Sequence, residues 1–154
     1  MGLTQTLKDK VILDIADIDG TGIFATTLAE SGREPKPIAE VVAPAVFIAP
    51  GGGAETDTET LTNRVGASQQ DYVLQCFIQS GTPNADMDDL LDDLRNAFER
   101  ATSNVLTASG TGWKVTDSTV SDWTEVLTDE DIHQQSYFRE VTLTVAYTYT
   151  RGSA

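Results

Sequence analysis

An almost perfect alternation of apolar and polar residues near the C-terminus constrains the fold of this 154-residue chain more than any other feature. A repeat of two residues is typical of a β-strand with one face on the core. The pattern predicts a long strand over Tyr137–Thr150, and such a strand needs a partner sheet or a neighbouring subunit along its edge. Its apolar face carries Val141, Leu143, Val145, Tyr147 and Tyr149, and its other face carries Thr142, Thr144, Ala146 and Thr148.

Two helices are predicted from apolar residues at helical spacing. The first covers Leu3–Ile18 and ends before Gly20. The second covers Asn84–Val105 and is the most strongly amphipathic segment of the chain. Its apolar stripe consists of Met87, Leu90, Leu91, Leu94, Phe98, Ala101 and Val105.

Two shorter strands are predicted in the middle of the chain. Ala45–Ala49 is apolar with a proline on each side, a setting that allows a short strand but not a helix. Tyr72–Gln79 alternates, with Tyr72, Leu74, Cys76 and Ile78 on one face. Cys76 is therefore expected to be a small core residue. As the only cysteine, it cannot form an internal disulfide.

The remaining segments complete the predicted architecture. Gly112–Thr116 and Val120–Leu127 are predicted to form a hairpin that turns at Asp117-Ser118. Gly51–Asp71 is polar and threonine-rich, so we expect a long loop that serves as an interaction arm. Together the elements predict a single α+β domain over residues 1–154. Its mixed, mainly antiparallel sheet has four to five strands packed with two helices.

The charge of the chain excludes several classes of function. The sequence has 24 acidic and 10 basic residues, giving a formal net charge of -14. Proteins bind a nucleic-acid phosphate backbone or an anionic membrane surface through clustered lysine and arginine residues. The acidic charge therefore argues against both kinds of binding. No apolar run approaches the ~20 residues of a membrane span. The polar segment Met1–Lys10 lacks the apolar region of a signal peptide, so we expect folding in a cytoplasm.

Few residues are available for catalysis or for binding a metal. With one histidine and one cysteine, the chain lacks the residues of most transition-metal sites and of Ser-His or Cys-His arrangements. His133 is expected to be an exposed linker residue. Gly51-Gly52-Gly53 is not followed by a Lys-Ser/Thr pair or a helix start, so it is not a phosphate cradle. We therefore predict no catalytic, cofactor-binding or metal-binding residues.

One short motif supports a competing hypothesis. Asp17-Ile18-Asp19-Gly20-Thr21 reproduces the signature of the haloacid-dehalogenase phosphotransferases, in which the first aspartate is the nucleophile and the second a general acid. That chemistry also needs a downstream Gly-Asp pair, which the sequence lacks, and a buried strand, which Asp14 would interrupt. The segment fits a helix end better. A Mg²⁺-dependent phosphatase using Asp17 and Asp19 remains the alternative from another class.

The second predicted helix carries a cluster of aspartates, Asp86, Asp88, Asp89, Asp92 and Asp93. A calcium loop folds its oxygen ligands around a glycine turn, whereas these residues lie on a helix. We expect them on the face opposite the apolar stripe, exposed to solvent, with those of the first turn stabilised by the helix dipole. Such a face suits a surface that must not adhere to a negatively charged molecule.

The order of the predicted elements resembles the tail-terminator and neck proteins of tailed bacteriophages, of the lambda-like group. The shared features are an N-terminal helix, the strand between Pro44 and Pro50, a long polar loop, a second strand and an amphipathic helix. A hairpin and a long C-terminal strand ending in Val145-Ala146-Tyr147-Thr148-Tyr149 follow. The resemblance covers most of the chain.

The resemblance implies a non-enzymatic virion protein whose copies assemble into a ring, generally of six. The ring caps the tail tube below the head connector, so its partners are other copies, the tail-tube protein and connector or neck proteins. DNA passes through the ring without specific binding, which an acidic lumen favours by repelling phosphates. Another neck or completion protein is the nearest alternative, and an acidic bacterial adaptor domain is a further one.

Overall fold

The computed structural model describes residues 3–32, 34, 40–49, 55–60, 65–124 and 136–150. Its helices are α1 (Leu3–Ala16) and α2 (Pro83–Glu99). Its strands are β1 (Glu30–Gly32), β2 (Ala45–Ile48), β3 (Glu55–Thr60), β4 (Val65–Gln79), β5 (Ser109–Gly110), β6 (Trp113–Val120) and β7 (Ser136–Thr150). Neither helix is long and apolar enough to cross a membrane, within these residues.

The described strands form one seven-stranded sheet in the order β1-β2-β4-β7-β6-β5, with β3 paired to the first part of β4. Only β1 and β2 are parallel; the other pairs are antiparallel. The predicted α+β class and mainly antiparallel sheet are confirmed. The sheet has more strands than the four to five expected, because β1, β3 and β5 are short or polar segments with weak patterns.

Strand β7 has the predicted alternation and lies in the middle of the sheet. Val141, Leu143, Val145 and Tyr147 are buried, whereas the threonines between them are only partly so. Strand β4 pairs with β7 along its whole length, and β6 pairs with Leu143–Tyr149 on the other side. Of the two partners expected for this strand, a sheet of the same chain is the one present over Leu143–Tyr149, since β4 and β6 occupy both sides.

Both helices pack on one face of the sheet and enclose the main core. Helix α1 contributes Leu7, Val11 and Ile15; α2 contributes Leu90, Leu94 and Phe98; the sheet contributes Tyr72, Leu74, Cys76, Ile78, Leu143 and Val145. Helix α1 ends close to its predicted boundary. Helix α2 ends at Glu99, six residues before the predicted end, because Arg100 has an extended backbone. Ala101 is consequently exposed rather than on the apolar stripe, while Val105 is buried in the turns that follow.

The predicted hairpin at Asp117-Ser118 is wrong. Strand β6 continues through both residues, and Thr116 is the extra residue of a bulge against β7. The Ser118 amide donates to the Asp117 carboxylate at 2.9 Å, a local bond of the kind these residues also make in turns. The actual turn precedes the strand at Gly112, whose φ of 78° favours glycine. Residues 125–127 of the predicted second strand lie outside the described residues.

The predicted loop over Gly51–Asp71 is also wrong where the structure describes it. Residues 55–60 and 65–71 pair as an antiparallel β3–β4 arm, with a register shift between Asp57 and Glu59. Threonine is common in strands, and polar residues are tolerated there because an antiparallel sheet can leave one face in water. Residues 51–54 and 61–64 lie outside the described residues. The role of this arm in interactions stays a prediction.

Candidate interaction surfaces

The motif Asp17–Thr21 follows helix α1, not the strand that the phosphotransferase chemistry requires. Asp17 Oδ2 accepts a hydrogen bond from Arg100 Nη2 at 2.9 Å, and the Arg100 guanidinium lies 5.0 Å from the centre of the Phe24 ring. The sheet is also mainly antiparallel, unlike the Rossmann-like sheet that this chemistry uses. The geometry thus ties Asp17 to the segment after α2.

Asp19 belongs to a tight turn on the protein surface. Its Oδ1 accepts bonds from the Thr21 hydroxyl at 2.5 Å and the Thr21 amide at 3.0 Å. These bonds stabilise the ionised carboxylate, so the Thr21 hydroxyl, followed by the Thr21 amide, lowers the pKa of Asp19 below its usual value. A general acid needs a raised pKa rather than a lowered one. The aspartate is suited to holding the turn.

Asp93 is not on the exposed acidic face, and its predicted exposure is wrong. Its side chain is 2% exposed. Its two carboxylate oxygens accept bonds from the amides of Ala25 at 3.0 Å and Thr26 at 2.7 Å. The spacing offered a signal, because Asp93 follows the buried Leu90 by three residues and precedes the buried Ala97 by four. Asp93 therefore anchors the segment that follows α1.

Asp14 makes the corresponding attachment from helix α1. It is fully buried, and its carboxylate accepts bonds from the Ser103 hydroxyl at 2.8 Å and the Val105 amide at 2.9 Å. The Asn104 amide and side chain add bonds of 2.7 and 3.0 Å. Sequence reasoning noted Asp14 only as a residue that would interrupt a strand. Its partners lie about ninety residues away, so no local pattern indicated them.

The exposed part of α2 is strongly acidic. Asp88, Asp89 and Asp92 are exposed, in agreement with the sequence prediction. Asp86 is partly buried and accepts a hydrogen bond from the Ser80 hydroxyl just before the helix. Within the part of the chain that the structure describes, no three histidine, cysteine, aspartate or glutamate side chains are grouped to hold a metal ion.

Of the other residues singled out from sequence, Cys76 is the one that the structure describes. Cys76 is fully buried, as predicted, and burial together with the nearby charge of Glu140 raises the pKa of its thiol. Gly51-Gly52-Gly53 and His133 lie outside the described residues.

At the end of the sheet away from α2, two aromatic side chains pack closely against glycine residues, Tyr149 against Gly66 and Trp113 against Gly110. A Cβ at Gly66 would lie 2.6 Å from the Tyr149 ring, and one at Gly110 would lie 2.3 Å from the Trp113 indole. Tyr149 and Trp113 are directly paired across β7 and β6 and are both partly exposed. A surface depression beside them is lined by Gly112, Trp113, Lys114, Thr148, Tyr149 and Thr150, which we call the sheet-end patch.

No protein-family model and no curated protein matches the chain. Among solved structures, the fold is similar to that of a chain from the virion of a native gene transfer agent particle. The likeness covers 94% of both chains, with a TM-score of 0.53 and 13% sequence identity. At this identity the likeness establishes the fold.

Proposed function

We propose that this chain is a structural protein of a phage-like virion. The observation that carries the proposal is the fold likeness to a virion chain over 94% of the length of both proteins. The structure is consistent with an assembly role, because the two aspartates of the competing phosphatase hypothesis are engaged in a surface ion pair and a tight turn. Fold analogy alone does not assign function, so the proposal also rests on the charge of the chain.

Within this class, we propose a ring at the head–tail junction that terminates the tail tube and joins it to the connector. The order of elements, the acidic surface and the charge of -14 support this role, because DNA has to pass through such a ring without binding. The β3–β4 arm is our candidate for contact with neighbouring subunits. Its outer strand β3 pairs on one side with β4 and has no second partner among the described strands.

The charge predicts how assembly responds to salt. Subunits with a charge of -14 repel one another at low ionic strength, and screening weakens that repulsion beyond roughly 10 Å at 0.1 M salt. We expect added salt, or the presence of a tail tube, to favour the oligomer. Light scattering across protein and salt concentrations, with and without tubes, measures this response.

The functional experiment uses tail tubes polymerised from the tube protein of the same genome. When the chain is present during polymerisation, it should bind tube ends and limit the length of the tubes, as seen by electron microscopy, whereas an unrelated protein of similar charge should not. A strict monomer that neither binds tubes nor limits their length contradicts the terminator role. For the phosphatase alternative, we expect no Mg²⁺-dependent hydrolysis of p-nitrophenyl phosphate. Turnover that Asp17→Asn abolishes would overturn the structural proposal.

A further inference from the structure

Lys114 differs from every other basic side chain whose exposure the structure describes. Of these six side chains, Lys114 alone is exposed, while Lys8, Lys10, Arg95, Arg100 and Arg139 are partly buried. In a protein with a charge of -14, this is the one exposed cation among the side chains whose exposure the structure describes. Lys114 is therefore a distinctive point for recognising an acidic partner.

The surroundings of Lys114 are suited to a protein contact. It lies in the sheet-end patch with the partly exposed aromatic residues Trp113 and Tyr149. Tryptophan and tyrosine are enriched at the energetic centres of interfaces because they bury a large area at low entropic cost. The two rings lie over Gly110 and Gly66, so the backbone limits their movement. The patch thus combines one exposed positive charge with two well-positioned aromatic side chains.

The acidic face of α2 lies at the opposite end of the same sheet. Lys114 pairs with Thr148, which pairs with Ala67 near the start of β4. Helix α2 follows the other end of that strand, where Asp89 lines a depression with Gln79. The twelve residues between Ala67 and Gln79 span about 40 Å at the rise of a β-strand. The two surfaces therefore lie too far apart to contact each other within one copy.

We propose that the sheet-end patch of one copy binds the acidic face of α2, formed by Asp88, Asp89 and Asp92, on the next copy. The inference rests on the proposed ring function and names the two surfaces that meet. Opposite charge supports the pairing. A contact between two different surfaces is heterologous, and repeated contacts of this kind close into a ring when the rotation permits. The same contact without closure would produce a filament.

Charge reversal tests the contact. Lys114→Glu should weaken self-association roughly tenfold or more in sedimentation experiments at fixed salt, because it replaces an attraction with a repulsion. The matched control Lys10→Glu makes the same change of net charge on α1 and should weaken association much less. Asp88→Lys combined with Asp92→Lys should by itself also weaken association, although it lowers the net negative charge. Adding Lys114→Glu to these two substitutions should restore association. A general effect of net charge does not explain this pair of results. Circular dichroism confirms that each variant is folded.

A zero-length carbodiimide crosslink provides an independent measurement. In a mixture of ¹⁴N- and ¹⁵N-labelled protein, we expect mixed-isotope peptides that join Lys114 to Asp88, Asp89 or Asp92. Association that is unaffected by Lys114→Glu, or crosslinks from Lys114 to other segments only, would overturn this contact while leaving the ring intact. Filaments with the predicted crosslink would support the contact and count against a ring. Wild-type protein that never associates, even on tail tubes, would overturn both proposals.

Discussion

Asp14 and Asp93 make reciprocal attachments between the two helices. Asp14 on α1 binds the segment that follows α2, at Ser103, and Asp93 on α2 binds the segment that follows α1, at Ala25. Both carboxylates are buried, and Asp14 accepts four hydrogen bonds and Asp93 two. The ion pair of Asp17 with Arg100 joins the same two segments at the surface. The helix layer is consequently held together by polar bonds as well as by its apolar core.

Asp93→Asn should destabilise the protein. The asparagine keeps the shape of the side chain but presents an NH₂ group to one of the two amides that the carboxylate now binds, and a buried donor left without a partner costs about 1–3 kcal/mol. Asp92→Asn, one residue away and exposed, removes the same charge and should change stability by about 0.5 kcal/mol or less. Urea unfolding of the two variants measures the difference. Equal stability would contradict the buried position of Asp93.

Asp14→Asn should have a larger effect than Asp93→Asn. The Asp14 carboxylate accepts four bonds, against two for Asp93, so the substitution disturbs more of its partners. We also expect faster amide hydrogen exchange at Asn104 or Val105, because these amides bind different oxygens of Asp14 and the asparagine NH₂ group replaces the acceptor of one of them. Exchange that accelerates throughout the protein instead would indicate global unfolding rather than local release.

Gly66→Ala should destabilise the β3–β4 arm because the new methyl group would collide with the Tyr149 ring. Overpacking costs about 1–3 kcal/mol in a well-packed core, and we expect the low end of this range because the far end of the partly exposed Tyr149 side chain has to move. Gly81→Ala is the matched control, since a Cβ there meets nothing within 4 Å. If the collision is the cause, Tyr149→Ala should offset part of the loss in the double variant. Strictly additive effects would point to another origin.

Cys76 should be inert towards thiol reagents in the folded protein. It is fully buried, and burial raises its pKa, so both access and the reactive thiolate are limited. We expect negligible reaction with Ellman's reagent at pH 8 and one equivalent of reaction in guanidinium chloride. Rapid labelling of native protein would show that this part of the core opens readily.

The patterns with a strong period predicted their elements well. The alternation ending at Tyr149 and the leucines of α2 each specify one buried face, which tertiary contacts then preserved. Two predictions were wrong for polar residues that are compatible with both turns and strands. At these positions the long-range pairing of strands decided the structure. Asp117 favours turns but was accommodated in a strand by the bulge at Thr116, and the polar residues of the arm formed strands because β4 and β7 pair over fifteen positions.

The buried aspartates show a different limit of sequence reasoning. Asp93 belongs to a run of acidic residues and was assigned with them to the exposed face, although its spacing from Leu90 placed it towards the core. Which backbone amides it binds depends on the path of the chain after Asp19, and no local pattern encodes that path. The position of an acidic residue relative to the apolar residues of its helix therefore indicates burial better than the charge of its neighbours does.

Deleting the gene from its source genome tests the central claim most directly. If the protein terminates the tail tube and joins it to the head, electron microscopy of the particles should show filled heads separated from tails that are longer than normal. Supplying the intact gene from a plasmid should restore joined particles with tails of normal length. Normal particles formed in the complete absence of the protein would contradict the proposed role.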